Sequence, residues 1–210
     1  MYNTTTSEFN HYNGTTWQPS NYVDNNDVLA AQSMGSEIKA TPVFTSFYLA
    51  SGVTMNNQQQ YFNAIWVSKK ITATGVLWYQ TTQGSYTGNN YNGVALYSQS
   101  SGSLTLLASS TNDTEIWKAA TGSVNKKTFS LPVTIEPGLY YLSILYSSSA
   151  ETTAPVIGSC PLPNTSNVPI DGTNGNKPRS FLTSQTSLAP TGTSMTTTTT
   201  SGAALYIALY

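Results

Sequence analysis

Apolar and polar residues alternate most strictly from Thr128 onward. Phe129, Leu131, Val133 and Ile135 fall on one face, and Ser130, Pro132, Thr134 and Glu136 on the other. A period of two predicts a half-buried strand, and Pro132, which has no N–H to offer a neighbour, places that strand at an edge or a bulge. Pro137-Gly138 then turns the chain. The following LYYLSILY (139–146) is apolar on both faces, as a central strand covered on both sides would be. The stretch 131–146 reads as a hairpin, with Glu136 as part of its turn chemistry and no reactive group in it.

Similar runs recur between turn clusters from Pro42 onward. VFTSFYLA (43–50) predicts a first strand, followed by a polar break at 56–60. YFNAIWV (61–67) and TATGVLWYQ (72–80) predict two more, and Gly75 marks a bulge or a close backbone approach within the second. VALYSQSSGSLTLLASS predicts two short strands around Ser100, Ser101 and Gly102, a strong hairpin signal. Gly84 to Gly93 reads as a long loop tip with two exposed tyrosines. In TNDTEIWKAATGS, Ile116 and Trp117 are expected to pack while Asp113 and Glu115 stay in water. The five prolines between 147 and 179 predict a long surface excursion, and the five threonines at 196–200 an exposed strand or loop. AALYIALY at 203–210 alternates again, with Ala203, Leu205, Ile207 and Leu209 on one face. That end is expected to be held in the sheet, leaving the free end and any anchor on the N-terminal side.

Residues 1–40 show neither period. Phe9, Tyr12, Trp17 and Tyr22 are too far apart to form a core and too apolar for a solvated tail, so they are expected to dock onto this chain's own domain or, as a partner-binding arm, onto a neighbouring subunit. Residues 27–33 could form a brief helix capped by Asn26. The organisation expected is an N-terminal attachment arm (1–40) followed by a β-sandwich domain (41–210). Eight or so strands, no long helix and a closing strand that returns beside earlier ones predict an all-β, two-sheet, jelly-roll-like sandwich with an extended N-terminal arm.

Composition narrows the function classes. A chain of 210 residues buries roughly 70% of the surface its unfolded form exposes, so one core is attainable without staples. Only 8% of residues are charged and the formal net charge is -1, which argues against nucleic acid as a partner. The 14 tyrosines argue against disorder. Cys160 is the only cysteine, so no intrachain disulfide forms. The first residues lack the basic start and apolar run of a signal peptide, and no stretch approaches the length of a membrane span, so no membrane insertion is expected. Asn3, Asn13, Asn112 and Asn164 begin glycosylation-type triplets, which a chain rich in Asn and Thr produces by chance.

Candidate chemistry is sparse. His11, the only histidine, lies in the arm, away from any scaffold that would orient it as a base. One His and one Cys do not fill a zinc site, so neither metal nor cofactor is expected. Asp113 and Glu115 would share a face if extended, but adjacent same-face carboxylates on a connection read first as solvent charges and only second as a glycosidase pair. Asp171, Asn174 and Asn176 offer oxygen ligands without the spacing of a calcium loop, and read first as a turn. Tyr86, Asn89, Asn90 and Tyr91 carry the chemistry of a glycan contact, where a ring stacks and amides bond hydroxyls. The equal alternative has those tyrosines folded back onto the sheet.

TATGVLWYQ, then NGVALYSQSSGSLTLLASS, then LPVTIEPGLYYLSILYSSSA, resembles in order a β-sandwich of tailed-bacteriophage virion appendages. The resemblance covers residues 72–150, with 205–210 similar to the usual closing strand. It implies a non-enzymatic virion protein: a tail or head fibre, a collar appendage or a capsid decoration protein, often a trimeric homo-oligomer. Its implied partners are other virion proteins of capsid, collar or tail and a host-surface glycan. A free carbohydrate-binding module or lectin using the 86–91 tip is the alternative.

Overall fold

The computed structural model describes residues 38–40, 51–161, 179–194, 199–200 and 203–210, together with the backbones of three short strands near the N-terminus. Those three are β1 (Tyr2–Asn3), β2 (Glu8–Tyr12) and β3 (Trp17–Pro19), paired antiparallel in that order. Phe9 stands opposite Tyr2, and Tyr12 opposite Trp17. A segment without a visible period thus carries strand pairing. Tyr22, the helix expected at 27–33 and the strand expected at 43–50 lie outside the described residues.

β4 (Ser51–Thr54), β5 (Gln59–Val67), β6 (Ile71–Thr82), β7 (Ser85–Gly88), β8 (Gly93–Ser100) and β9 (Ser103–Ser109) lead to a short 3-10 helix at Ile116–Lys118. After it come β10 (Ser123–Ile135), β11 (Gly138–Tyr146), β12 (Ser148–Thr153), β13 (Val156–Pro161), β14 (Arg179–Leu182), β15 (Thr199–Thr200), β16 (Ala203–Leu205) and β17 (Ile207–Leu209). They build two six-stranded sheets. The first runs β10-β6-β13-β16, with β17 also on β6 and β4 also on β13; the second runs β15-β14-β5-β11-β8-β9. β7 and β12 form a separate ribbon. This is the expected jelly-roll-like β-sandwich.

Period-two patterning supplies its interior. Tyr61, Ile65 and Val67 of β5, Val94 and Leu96 of β8, and Leu142, Ile144 and Tyr146 of β11 meet Val76 and Trp78 of β6, Ile157 of β13, and Leu205, Ile207 and Leu209. Each such side chain contributes about 1.5–3 kcal/mol by leaving water. The alternation expected at 203–210 is thus observed at Leu205, Ile207 and Leu209. Tyr210 extends it: its N–H donates to Gly75 O at 3.2 Å, and its own carbonyl accepts from Thr74 N–H at 2.7 Å.

β11 is the central strand its sequence predicts, between β5 and β8, and from Tyr141 to Tyr146 it is buried on both faces. The hairpin reading of 131–146 is overturned. β10 pairs with β6 in the first sheet and β11 with β5 and β8 in the second, so Glu136-Pro137 forms a corner between sheets. The physical reason lies in β11 itself. A strand apolar on both faces needs neighbours on both edges, and β5 and β8 leave no edge for β10.

The face assigned to Leu131 is also overturned, since it is 77% exposed. Thr128 pairs with Gly75 and Val133 with Ala73, so Phe129, Ser130, Leu131 and Pro132 stand opposite Thr74 alone. Pro132 does sit at a bulge of an edge strand. β6 shifts phase at the same place, since Ala73 and Val76 both face the interior. Gly75 allows it: a Cβ there would lie 2.3 Å from Lys127 O and 2.8 Å from the Tyr210 ring.

Other expectations divide. The β8–β9 hairpin forms around Ser101 and Gly102, both at positive φ (50° and 81°), as a two-residue type I′ turn demands. The polar break at 56–60 is cut short, because Gln59 and Gln60 are buried within β5. The surface excursion expected from 147 to 179 begins instead with β12 and β13, the latter paired with β4, β6 and β16. Small residues in SSAETT and a Gly in VIGSCP mask a strand signal that pairing supplies. Thr199–Thr200 forms β15 against β14.

Candidate functional site

The tip at 84–93 is a folded structure and not an open loop. β7 pairs with β12, setting Tyr86 opposite Glu151. Tyr86 is only 7% exposed, with its ring edge-on to Tyr146 at 5.0 Å and the Lys118 ammonium 5.1 Å from its centroid. Its hydroxyl accepts from Trp117 N–H at 3.2 Å, and burial pushes that hydroxyl far above the ordinary phenol range. Tyr146 donates to the Glu151 carboxylate, and its hydroxyl is likewise raised, by burial first and then by that carboxylate.

Trp117 is the keystone beneath the tip. It packs on Trp78 at 5.1 Å and donates its indole N–H to Leu145 O at 3.1 Å. Gln80 bonds the Trp117 carbonyl at 2.7 Å and accepts from the Trp78 indole at 3.2 Å. Ile116 and Trp117 therefore pack as their sequence predicts.

Asn92 is fully buried and joins the loops. It accepts Ser147 N–H at 2.9 Å, donates to Ser147 O at 2.9 Å and to Asn89 O at 3.1 Å, and its own N–H reaches Asn112 Oδ1 at 2.8 Å. Tyr91 is half-buried and donates to Ser110 O at 2.6 Å, with burial raising its hydroxyl. Asn89 and Asn90 are exposed, and the Asn90 N–H turns back to Asn89 Oδ1 at 2.9 Å. The two tyrosines are thus folded back onto the sheet, Tyr86 buried and Tyr91 half-buried, with both hydroxyls bonded. Ring burial outweighs display here, because each hydroxyl finds a backbone partner.

Asp113 and Glu115 do not form an acid and base facing a common opening. Asp113 pairs with Lys127 at 2.6 Å, while its other oxygen accepts Glu115 N–H at 3.0 Å; Glu115 pairs with Lys118 at 2.8 Å. The Lys127 hydrogen bond holds the Asp113 carboxyl below its usual range, the opposite of what a general acid needs. Asp113 is also less solvated than its sequence suggests, since it ties the 3-10 helix to β10. Glu136 sits at the sheet-to-sheet corner, paired with Lys70, and its carbonyl accepts the Tyr140 hydroxyl at 2.9 Å.

A second polar centre, on the outer face of the second sheet, was not anticipated. Gln60 donates to Ser143 Oγ at 2.7 Å and to the Tyr97 hydroxyl at 3.1 Å, and accepts Ala189 N–H at 2.8 Å. Tyr97 in turn donates to Ala189 O at 2.9 Å. Residues 183–194 thereby form a strap across Phe62, Ala64, Ala95, Tyr97, Leu104 and Tyr141. Its far end bonds along β9, through Gly192 N–H to Leu104 O at 2.7 Å and Leu104 N–H to Thr193 O at 2.8 Å. The available signal was a glutamine at the start of a strand whose alternate positions, Phe62 and Ala64, are apolar.

His11 lies on β2 opposite Gln18, and Cys160 on β13 opposite Ala204. Asp171, Asn174 and Asn176 lie outside the described residues. Among the described residues, no group of three or more His, Cys, Asp or Glu side chains comes together as a metal site would require, and no helix is long and apolar enough to cross a membrane. No protein-family model and no curated protein matches the chain.

Proposed function

We propose that this chain is a structural protein of a bacteriophage particle, a fibre or collar appendage or a capsid decoration protein, that acts by shape and attachment and not by catalysis. One observation carries the reading. Gln60, Gln80 and Asn92, the buried amides with the densest bonding, each tie segments distant in sequence to a sheet instead of facing an opening. A protein that spends its polar interior on fixing loops is built to hold a surface in place. The sequence resemblance over residues 72–150 supports the particle setting, and the aromatic segment 1–40 supplies the attachment arm. The sandwich then projects for assembly or for adhesion to the host surface, and several copies bound together would gain avidity.

The test is deletion of residues 1–37, which spares Ile38–Ala40, where Lys39 and Ala40 bond Leu209. The expected product is a folded sandwich that no longer joins particles. Retained incorporation would overturn the arm assignment, and turnover of a polysaccharide by the purified chain would overturn the non-catalytic reading.

A further inference from the structure

Trp66 is 54% exposed on β5, between Ile65 and Val67 whose side chains fill the interior. It therefore points outward from the second sheet, opposite half-buried Leu139 of β11. The strap that covers the rest of this face is bonded at Gln60, Tyr97 and Leu104, and leaves the Trp66 corner open. An indole half in water leaves apolar burial unused, and Trp is among the residues most enriched where partners bind.

Charge suggests what covers it. Residues 1–37 contain Glu8, Asp24, Asp27 and Glu37 with no Lys or Arg, so the rest of the chain holds all eight cations against the five remaining acids. Lys69 and Lys70 sit in the β5–β6 turn beside Trp66, and among the described residues only Lys70 of the two has a carboxylate partner. Phe9, Tyr12, Trp17 and Tyr22 in the acidic segment provide apolar groups to match Trp66 and Leu139.

Direction suggests whose segment it is. Ile38 packs against Leu77, Ala208 and Tyr210, on the outer face of the first sheet. Trp66 is on the outer face of the second. A chain's own arm, at about 3.3 Å per extended residue, could reach it only by wrapping around the edge of the sandwich. A neighbour stacked on the second sheet presents its arm directly.

We propose that the Trp66–Leu139 corner is the docking site for the acidic, aromatic segment 1–37 of a second copy of this chain. Donor and acceptor lie on opposite faces, so each copy gives one arm and receives one. Such a head-to-tail contact closes into a ring, or extends as a filament when the rotation does not close. The proposal rests on reading residues 1–40 as a partner-binding arm, and adds a second copy of this chain to the particle as what that arm binds.

The experiment uses the full chain in sedimentation across a concentration series, with acrylamide quenching of a Trp17→Phe chain. Trp78 and Trp117 are 1% and 0% exposed, so quenching reports Trp66. Association is expected to rise with concentration as quenching falls. Trp66→Ser and Lys69→Glu each weaken it about tenfold or more, Trp66→Phe restores most of it, and salt at about 0.5 M weakens it. A monomer at every concentration, a Trp66→Ser chain that associates like the parent, or Trp66 shielded within a monomer would each overturn the proposal. A chain that joins particles through residues 1–37 yet never self-associates removes this proposal alone and leaves the attachment reading standing.

Discussion

β10 and β11 are consecutive, joined only by Glu136 and Pro137, and both are patterned as strands, yet the protein uses them in opposite ways. β11 lies at the centre of the second sheet, with every side chain from Tyr141 to Tyr146 buried. β10 is the edge of the first sheet, breaks register between Thr128 and Val133, and holds Leu131 in water. The difference shows that alternation marks a strand but its neighbours decide its job. β11 is flanked by β5 and β8, whereas β10 has β6 on one side only.

The contrast is most sharply broken from the β11 side. Leu142→Ala removes a fully buried side chain from the interior cluster and is expected to cost about 3 kcal/mol, read as a lower denaturant midpoint at unchanged slope. A loss below about 1 kcal/mol would mean that β11 is not the central strand described.

Gln60→Ala comes next. It leaves the Ala189 N–H, the Tyr97 hydroxyl and the Ser143 hydroxyl short of a partner beneath the strap. The expected loss is about 2 kcal/mol, with proteolytic cleavage appearing first within 183–194. Unchanged protease resistance of that segment would show that the strap is held by its β9 bonds instead.

A smaller effect tests how β10 is tied to the tip. Asp113 is stabilised in its charged form by Lys127, so its folded pKa lies below the unfolded one. Its contribution is therefore present above the unfolded value of about 4 and is lost as pH falls through the folded value. Because the pair is partly solvated, that contribution is at most about 1 kcal/mol. Asp113→Asn should lower the melting temperature slightly at pH 7, by an amount that shrinks as pH falls below about 4; an equal loss at every pH would assign the effect to packing. Leu131→Ser should shift stability by no more than about 0.5 kcal/mol, since the side chain it removes is already in water.

Much of this fold was legible in the chain. Strand identity for β5, β6, β8, β9, β11 and the 203–210 end followed from periodicity, and Gly75 and Ser101-Gly102 marked the close approach and the turn. What could not be read was partnership. Pro137-Gly138 looks the same whether it closes a hairpin or a corner between sheets, and a small-residue strand such as SSAETT shows itself only through pairing with β7. The polar centres were least legible of all. Gln60, Gln80 and Asn92 look like surface residues until the segments they bond, 129 positions away at Ala189, 37 at Trp117 and 55 at Ser147, are brought to them by the fold. Whether the two tyrosines of the tip are displayed or folded back stayed open for the same reason, as Trp117 and Ser110, which engage their hydroxyls, come from the connection between β9 and β10.

Residue-resolved hydrogen exchange across 128–146 tests the account most directly. If β10 and β11 belong to opposite sheets, with a bulge in the first, amides of 141–146 exchange only through global unfolding while those of 130 and 131 exchange orders of magnitude faster. Equal, high protection through both strands would restore the hairpin and contradict the sandwich arrangement described.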